Sequence, residues 1–595
     1  MKRIFSHICI LLVALSSFIA SALDIPKGTF YFNNKLTKYS TVKFVYGNYY
    51  TPESYVMTMT NEVDSLWSIT IPETVTGIDS YCFVETSLAD GLYNETPSNI
   101  INQIISQNGK HTTTFNIPIP EGWVFTPTGG NNWTSGIWLR LGVPLSYSGT
   151  LPVMFINTED SIPITSRDEY IYAEYYIDNM GIEGIDNVGA ADAPQLLEIR
   201  GRGNYSWEYF DKKPYRLKLD KKTALLGMKR NKHWALIANA DDYLGFLRHT
   251  VGYELSRQLG LAWTPSQQPV EVVLNGDYIG LYMLTETIRV EPDRVNVLKQ
   301  ADYETDSTQI TGGWLVEIDN YYEEEQIHTV ESNGQGLFLT YKSPEYLSDE
   351  QRTYLTDLIH TVDSTIYVTD KNNNSWETYI DPDTLACFYI VQELLDDTEG
   401  FHGSCFWHKE NGDSTKIMFG PVWDFGMAFI RGCTDKFIYE DTTSTQTWIG
   451  EIAKFPHFQQ MVKKHWRRYV SQNYKEKTES FIDNFIDQIH QAAIYDALRW
   501  PDYGNAEIIY DRDLFKSYFN SKYNWLDEQW SLPEGDVNCD GYITSADVTT
   551  IYNYLLLGDE TYKSTSDVDG DGVVTSHDIT TIYEIILNGF PPLPH

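Results

Sequence analysis

Three runs decide the fold of this chain: Arg200–Asn204 (RGRGN), Lys212–Leu219 (KKPYRLKL) and Leu274–Glu286 (LNGDYIGLYMLTE). A glycine- and arginine-rich turn is followed by an alternating basic strand and then by an Asn-Gly hairpin. Glycine lets the backbone approach an anion closely, and one guanidinium group can bind two phosphate oxygens at once. The order of the three runs therefore predicts a phosphate-binding site that includes Arg200 and Arg202.

The basic run also predicts which lysine meets the phosphates. Alternate residues of a strand face opposite sides, so Lys213 shares a face with Tyr215, Leu217 and Leu219. Lys218 lies on the other, solvated face. A lysine at the start of an apolar face points its ammonium group inward, so we expect Lys213 to bind the phosphates, with Lys218 as the reserve. The competing interpretation is that both are surface lysines of an edge strand.

Acidic residues follow two apolar elements. A helix predicted to begin near Pro382 leads into a run that contains Asp397 and Glu399. Carboxylates at a helix C-terminus oppose the helix dipole and each other, so a stable arrangement there asks for a cation. The apolar strand at Ile417–Trp423 delivers Asp424 at its end. These carboxylates are predicted metal ligands, and a solvated loop is the alternative for the first group.

Three further motifs place the chain near a known family: Leu225–Met228 (LLGM), Trp234–Asn239 (WALIAN) and Pro421–Gly426 (PVWDFG). Together with the opening runs they closely resemble the spore-coat protein H (CotH) kinase family, over roughly residues 150–530. This resemblance implies an atypical protein-kinase-like domain. Such a domain transfers phosphate from ATP, held with Mg²⁺ or Mn²⁺, to the hydroxyl groups of a protein acceptor.

The resemblance also implies roles for single residues. Asp424 stands where the Asp-Phe-Gly motif of kinases places a metal ligand. Lys213 and Glu286 would form the counterpart of the kinase lysine–glutamate pair. A carboxylate that closes an apolar strand is costly to bury alone, and Arg289 and Arg294 are the alternative partners of Glu286.

The chain departs from the commoner family pattern around Asp397. Many relatives carry Asn-x-Asp followed five residues later by Asn, whereas the matching positions here are Asp397, Glu399 and Ser404. The polar groups remain but are rearranged. An ATP-dependent protein kinase is therefore predicted, with a pseudokinase as the alternative.

A twelve-residue calcium-loop pattern occurs twice near the end of the chain. Oxygen ligands fall at loop positions 1, 3, 5 and 12, a backbone carbonyl serves at position 7, and Gly at position 6 permits the sharp turn. The predicted ligands are Asp536, Asn538, Asp540, Tyr542 and Asp547 in the first loop, and Asp567, Asp569, Asp571, Val573 and Asp578 in the second.

Each calcium loop is followed by one predicted helix, and residues 533–595 resemble a type I dockerin. The resemblance implies two bound Ca²⁺ ions and a cohesin domain of a scaffold protein as partner. A calcium-stapled stability module without a partner is the alternative. The apolar positions that repeat along the two helices predict a shared core: Val548, Ile551, Leu555, Ile579, Ile582 and Ile586.

The beginning of the chain carries a targeting pattern. Residues 1–22 combine Lys2 and Arg3, the apolar run Ile8–Phe18 and the small residues Ala20–Ala22, as in a cleaved signal peptide. This predicts an extracellular protein. Residues 23–145 show short alternating runs, which predict a β-sandwich-like module that faintly resembles starch-binding modules. A purely structural sandwich is the alternative to a polysaccharide-binding one.

The net charge of the chain limits the classes of molecule that it is expected to bind. The chain has 82 acidic and 44 basic residues, a formal charge of −38. Such a balance disfavours nucleic acid and anionic membranes and favours cations. No apolar run after the leader is long enough to span a bilayer.

The sequence therefore predicts an α+β, multidomain chain: a signal peptide (1–22), a β-rich module (23–145), a CotH kinase-like domain (150–530) and a dockerin (533–595). The predicted function is that of a secreted CotH-like kinase that a calcium-dependent dockerin attaches to a scaffold. The alternative is a non-catalytic structural or binding component of an extracellular, cellulosome-like complex that degrades polysaccharides.

Overall fold

A computed structural model describes residues 147–319, 327–330, 336–432, 435–441, 446–500, 508–531, 533, 535–569 and 573–588, and the backbone of the strands before residue 147. The predicted signal peptide lies outside the described residues. Among the described helices, none is both long and apolar enough to cross a membrane.

Short strands occupy the segment predicted to be β-rich. They are β1 (Thr29–Asn33), β2 (Val42–Gly47), β3 (Ser54–Thr58), β4 (Thr60–Val63), β5 (Leu66–Thr70), β6 (Ser80–Glu85) and β7 (Val124–Phe125). They form one sheet in the order β4-β5-β1-β7 and another in the order β3-β2-β6. A sandwich made of these two sheets stays a prediction, as does any sugar-binding surface on it.

The remaining elements follow in two series. The strands are β8 (Val153–Thr158), β9 (Ile171–Asp178), β10 (Gln195–Gly201), β11 (Tyr215–Thr223), β12 (Asn231–Ile237), β13 (Gln267–Leu274), β14 (Asp277–Glu286), β15 (Trp314–Ile318), β16 (Ile327–Val330), β17 (Gly336–Ser343), β18 (Cys405–Lys409) and β19 (Ile417–Phe419). The helices are α1 (Tyr205–Tyr209), α2 (Leu247–Leu259), α3 (Asp349–Ile366), α4 (Pro382–Leu394), α5 (Trp448–Ile452), α6 (Pro456–Ser471), α7 (Tyr474–Arg499), α8 (Ile508–Trp530), α9 (Ser545–Leu557) and α10 (Ser576–Asn588).

The chain divides into two compact units. The first comprises Met1–Tyr243, Gln268–Leu284 and Asp487–Ile508, and the second comprises Leu244–Gln267, Thr285–Ile486 and Ile509–His595.

A closed barrel is the centre of the first unit, with the strand order β10-β11-β12-β14-β13-β8-β9. Its inward residues alternate along each strand, so Tyr215, Leu217 and Leu219 are buried as the basic run predicted. The predicted Asn-Gly hairpin joins β13 to β14. Both turn residues have a positive φ, 52° at Asn275 and 82° at Gly276, which suits the twist of a two-residue hairpin.

An antiparallel sheet and most of the helices form the second unit. The sheet order is β16-β17-β15-β18-β19. The four-residue spacing of Leu247, Val251, Leu255 and Leu259 predicts one apolar helix face. This prediction is confirmed, because all four residues are buried on α2. Helix α4 begins with an Asp381 cap, whose side chain accepts a hydrogen bond from the Thr384 N–H, and with proline at the first turn.

The two calcium-loop repeats share a small core within the second unit. Val548, Ile551, Ile579 and Ile582 are buried there together with Val537 and Val568. The prediction was wrong for Leu555 and Ile586, which are 38% and 42% exposed. They lie in the last turns of α9 and α10, beyond the point where so small a core covers the helices.

Candidate functional site

The carboxylate Asp397 is placed by the way α4 ends. The Asp396 N–H donates to the Glu393 carbonyl and the Asp397 N–H to the Gln392 carbonyl, both at 3.1 Å. This is a Schellman ending, in which the residue after the cap is left-handed. That residue is Asp396 with φ 47°, a conformation that usually takes glycine. The turn fixes Asp397 immediately after the helix.

Asp397 is fully buried and its carboxylate is poorly satisfied. One oxygen accepts a long, 3.4 Å hydrogen bond from the Glu399 N–H. The other, Oδ2, is buried and has no hydrogen-bond partner among the described residues. Burial, followed by the charges of Glu399 and Asp424, raises the pKa of Asp397 well above its usual range. A cation at this position would supply the missing partner and favour the ionised carboxylate.

Asp424 is delivered by the sheet, although β19 ends at Phe419, earlier than the predicted strand Ile417–Trp423. Its backbone is left-handed, with φ 54°. Its own Oδ1 stabilises this turn by accepting from the Gly426 N–H at 3.2 Å. The side chain is 53% exposed, so Asp424 presents a solvent-accessible carboxylate whose charge also acts on buried Asp397.

Helix α2 holds the Asp424 segment in place through residues that the sequence did not single out. Arg248 is buried and donates to the Gly426 carbonyl. His249 Nε2 lies 3.2 Å from Asp424 Oδ1. Phe425 is fully buried against Gly252, where a Cβ atom would come within 2.2 Å of the ring. No local sequence pattern set Arg248 apart, because its partner Gly426 lies 178 residues later in the chain.

The carboxylates of Asp397 and Asp424 are oxygen donors of the kind that bind a divalent cation. Mg²⁺ keeps water and phosphate ligands and usually takes only one or two protein carboxylates, a role open to Asp397 and Asp424. Glu399 lies two residues on in the same turn, and its charge acts on Asp397. The described residues do not gather three metal-binding side chains here within 4.8 Å of one another; they do so at Asp567, Asp569 and Asp578.

The lysines of the basic run are arranged differently from the prediction. Strand β11 begins at Tyr215, so Lys213 precedes it, and its ammonium group donates to the Trp207 carbonyl at 2.5 Å. The buried lysine is Lys212, which sequence reasoning missed. Its Nζ lies 2.7 Å from Asp496 Oδ1 and donates to the Leu281 carbonyl at 2.7 Å.

Lys218 lies on the solvated face, as predicted, and forms an ion pair with Glu198 at 2.6 Å. Both residues line a groove of about 780 Å³ on the barrel. Arg200 lies on the same face of the sheet and stacks on Tyr170, with 4.9 Å from its Cζ atom to the ring centroid. The Arg202 N–H donates to the Pro214 carbonyl at 3.2 Å. Phosphate binding by Arg200, Arg202 and Lys213 stays a prediction.

Glu286 closes β14 and is buried, as its position in the sequence suggested. Its Oε2 accepts from the Ser266 N–H at 3.0 Å. Arg294 is close enough for the charge of Glu286 to act on it, although burial dominates and lowers the pKa of Arg294 to about 10. The guanidinium group also donates to the Thr287 hydroxyl at 2.8 Å. Within the second unit, Arg294 is thus the nearby cation, and a Lys213–Glu286 pair stays a prediction.

In the first calcium loop, backbone N–H groups donate hydrogen bonds to the carboxylates. Asp536 accepts from the Asp540 and Gly541 N–H groups at 3.0 and 2.8 Å. Asp547 accepts from the Asn538 N–H at 3.0 Å and, with its second oxygen, from Thr544. Both carboxylates are fully buried, and burial raises the pKa of Asp536 to about 6. The side chain of Tyr542 is exposed, and calcium binding by its carbonyl stays a prediction.

The second loop brings Asp567, Asp569 and Asp578 together, with ligand atoms within 4.8 Å of one another. Asp578 is fully buried and accepts from the Val568 N–H at 2.6 Å and the Thr575 N–H at 2.7 Å. Val573 has an exposed side chain, and Asp571 lies outside the described residues. Oxygen donors in tight turns fit Ca²⁺ in both loops, and in the second loop three carboxylates also converge.

Comparison with known proteins finds two families along the chain. The family model described as CotH kinase protein matches residues 199–528, and the model described as dockerin type I domain matches residues 534–587. No curated protein matches the chain. The first match spans more than half of the 595 residues. Dockerin domains bind calcium, and the two loops identified above fall within the second match. The chain therefore belongs to the CotH kinase family, an atypical kinase family, and carries a type I dockerin domain after the CotH domain.

Proposed function

We propose that the CotH domain transfers phosphate from ATP, held with Mg²⁺ or Mn²⁺, to hydroxyl groups of a protein acceptor. The observation that carries this proposal is the buried Asp397 Oδ2 atom, which has no hydrogen-bond partner among the described residues. Leaving a buried carboxylate oxygen in that state costs free energy, and a bound ligand would offset this cost. The adjacent charges of Glu399 and Asp424 point to a cation as that ligand.

A bound metal ion would neutralise the charge of the phosphates during transfer. The protein would hold the carboxylates that bind this ion in a fixed orientation. Asp397 is fixed by the Schellman turn of α4, and Asp424 by its own hydrogen bond to the Gly426 N–H and by Arg248 and His249 of α2. Because these carboxylates are held by backbone geometry and buried partners, little reorganisation is needed when the nucleotide binds.

Mass spectrometry of the full chain incubated with ATP and Mg²⁺ or Mn²⁺ tests this proposal. We expect phosphate on Ser, Thr or Tyr residues, and we expect it to vanish in Asp424→Ala. Asp357→Ala, which removes an exposed carboxylate on α3, is the matched control and should be phosphorylated like the parent. Equal incorporation in Asp424→Ala would remove Asp424 from the mechanism.

A second candidate function is a non-catalytic binding role within an extracellular complex. The specific observation in its favour is that Asp397, Glu399 and Asp424 do not converge as a three-carboxylate set, whereas the dockerin carboxylates do. A parent protein that binds nucleotide or metal but takes up no phosphate would support this pseudokinase.

For the dockerin, we propose calcium-dependent attachment of an extracellular protein to a cohesin of a scaffold. Apolar side chains stand exposed at positions that repeat between the two helices. Leu556 on α9 and Leu587 on α10 are 75% and 80% exposed, and Tyr552 and Tyr583 flank them. Exposed apolar groups of this kind mark protein interaction sites. Cohesin capture of the full chain in calcium, followed by release with a chelator, checks the proposal; capture that persists in chelator contradicts it.

A further inference from the structure

A buried lysine lies beneath the turn that delivers Asp397. Lys522 of α8 places its Nζ 3.1 Å from Asp396 Oδ1 and 3.5 Å from Glu393 Oε2. The same ammonium group donates to the Lys436 carbonyl at 2.6 Å. The side chains of Lys522, Glu393 and Asp396 are all fully buried. One cation on α8 therefore binds two carboxylates that stand at the end of α4.

The turn needs such a cation for two physical reasons. Glu393 and Asp396 place negative charge at the C-terminus of α4, where the helix dipole is already negative. Asp396 also adopts the left-handed conformation that costs a non-glycine residue about 1 kcal/mol or more. Both costs are tolerable only if the side chain of Asp396 gains strong interactions in this conformation.

Other groups around the turn leave this role mainly to Lys522. Arg431 also approaches Asp396 Oδ1, at 3.5 Å, but it is 32% exposed and makes its shorter contact, 2.7 Å, with Asp441. One oxygen of Glu393 is occupied by the Ile438 N–H at 2.9 Å. The acidic run at the helix end asks for a cation. For Asp396 the closest cation is Lys522, whereas Oδ2 of Asp397 has no hydrogen-bond partner among the described residues.

We propose that Lys522 is a positioning residue for Asp397: by holding Asp396 in its left-handed conformation, it sets the direction of the next carboxylate. This inference rests on the proposed function, in which Asp397 binds the metal of a metal–nucleotide complex. Lys522 touches neither metal nor substrate and acts through the backbone of the turn. Supporting groups of this kind, when removed, usually cost metal affinity about 10–100-fold.

Lys522→Met tests the proposal, with Lys212→Met as matched control. Lys212 is likewise a buried lysine on a buried aspartate, Asp496, but it belongs to the barrel. A second variant, Lys522→Met with Glu393→Gln, keeps the buried charges balanced if the single variant folds poorly. At pH 8, above the pKa of about 7 of Glu393, it removes one charge of each sign. All variants are studied as the full chain, saturated with calcium so that the dockerin loops do not take up Mn²⁺.

Two measurements are made on each variant. Hydrogen–deuterium exchange of residues 394–404 should show loss of protection in both Lys522 variants and none in Lys212→Met. The affinity for Mn²⁺ in the presence of a non-hydrolysable ATP analogue, measured by electron paramagnetic resonance, should fall about 10–100-fold in both Lys522 variants. It should be unchanged in Lys212→Met.

Three results would overturn the inference. Unchanged exchange of residues 394–404 would mean that Lys522 does not hold the turn. Faster exchange with parental Mn²⁺ affinity would mean that the turn does not position Asp397. Full recovery of Mn²⁺ affinity in the charge-balanced variant would mean that Lys522 only neutralises buried charge and does not position Asp397. A parent that binds no Mn²⁺–nucleotide would instead refute the proposed function, and the exchange data would still decide whether Lys522 holds the turn.

Discussion

Replacing Gly252 by alanine should damage the Asp424 segment, although alanine is the better helix former. A Cβ atom on Gly252 would lie 2.2, 2.4 and 2.5 Å from three ring atoms of Phe425. The ring cannot move away freely, because it is fully buried and packs edge-on against His249 and Tyr253. Overpacking of this kind costs about 1–3 kcal/mol. Replacing glycine within a helix returns about 0.5–1 kcal/mol, so the free energy of unfolding should fall by about 1 kcal/mol and at most by about 2.5 kcal/mol.

The clash between the new Cβ atom and the Phe425 ring should also displace Asp424. An ordinary carbon contact begins near 3.4 Å, so the ring must retreat by about 1.2 Å (3.4 minus 2.2). Asp424 is the neighbour of Phe425, and misplacing a reacting group by about 1 Å can cost about 100-fold in rate. Urea denaturation followed by tryptophan fluorescence, and phosphate incorporation, measure the two effects.

A smaller side chain at Phe425 provides the control for Gly252→Ala. Adding Phe425→Leu should return part of the lost activity, because the smaller side chain accommodates the new methyl group. If Gly252→Ala is as stable and as active as the parent, the tight contact between α2 and Phe425 does not position Asp424, and the reasoning fails.

Two further predictions concern buried charges. Burial raises the pKa of Glu393 from 4.5 to about 7, so the folded state holds this proton more tightly than the unfolded state. The associated stability is present below about pH 4.5 and is lost as pH rises to about 7, a change of about 3 kcal/mol. Glu393→Gln should abolish this loss, which urea denaturation at pH 5 and pH 8 measures; equal pH dependence of variant and parent would contradict it. Lys212→Met should lower the free energy of unfolding by about 3–5 kcal/mol, because it leaves Asp496 charged and buried. Lys212→Met with Asp496→Leu should regain part of it, and a double variant less stable than the single one would refute this account.

Local patterns in the sequence predicted much of the fold. The alternation around Leu217 predicted the inward face of β11, and the spacing from Leu247 to Leu259 predicted the buried face of α2. Ligand spacing predicted two calcium loops, and in the second of them Asp567, Asp569 and Asp578 converge. These features depend on residues only a few positions apart, so the interactions that form them can be inferred from the local sequence.

Features that depend on distant partners could not be predicted in this way. Period-two alternation selected Lys213, but the buried lysine is Lys212, because its partner Asp496 belongs to a much later helix. The acidic run after α4 predicted a cation, yet the cation of Asp396 is Lys522, 126 residues away. Leu555 has the spacing of a core residue and is nevertheless exposed, because the facing helix does not cover it.

Transfer of radioactive γ-phosphate to the full chain tests the central claim most directly, with Asp397→Asn compared to the parent and to Asp357→Asn. Asparagine keeps the shape of Asp397 but removes the charge that a cation would bind, whereas Asp357 is an exposed residue of α3. We expect metal-dependent phosphate incorporation in the parent and in Asp357→Asn, and a loss of at least about 100-fold in Asp397→Asn. Incorporation by Asp397→Asn at the parental rate would contradict it.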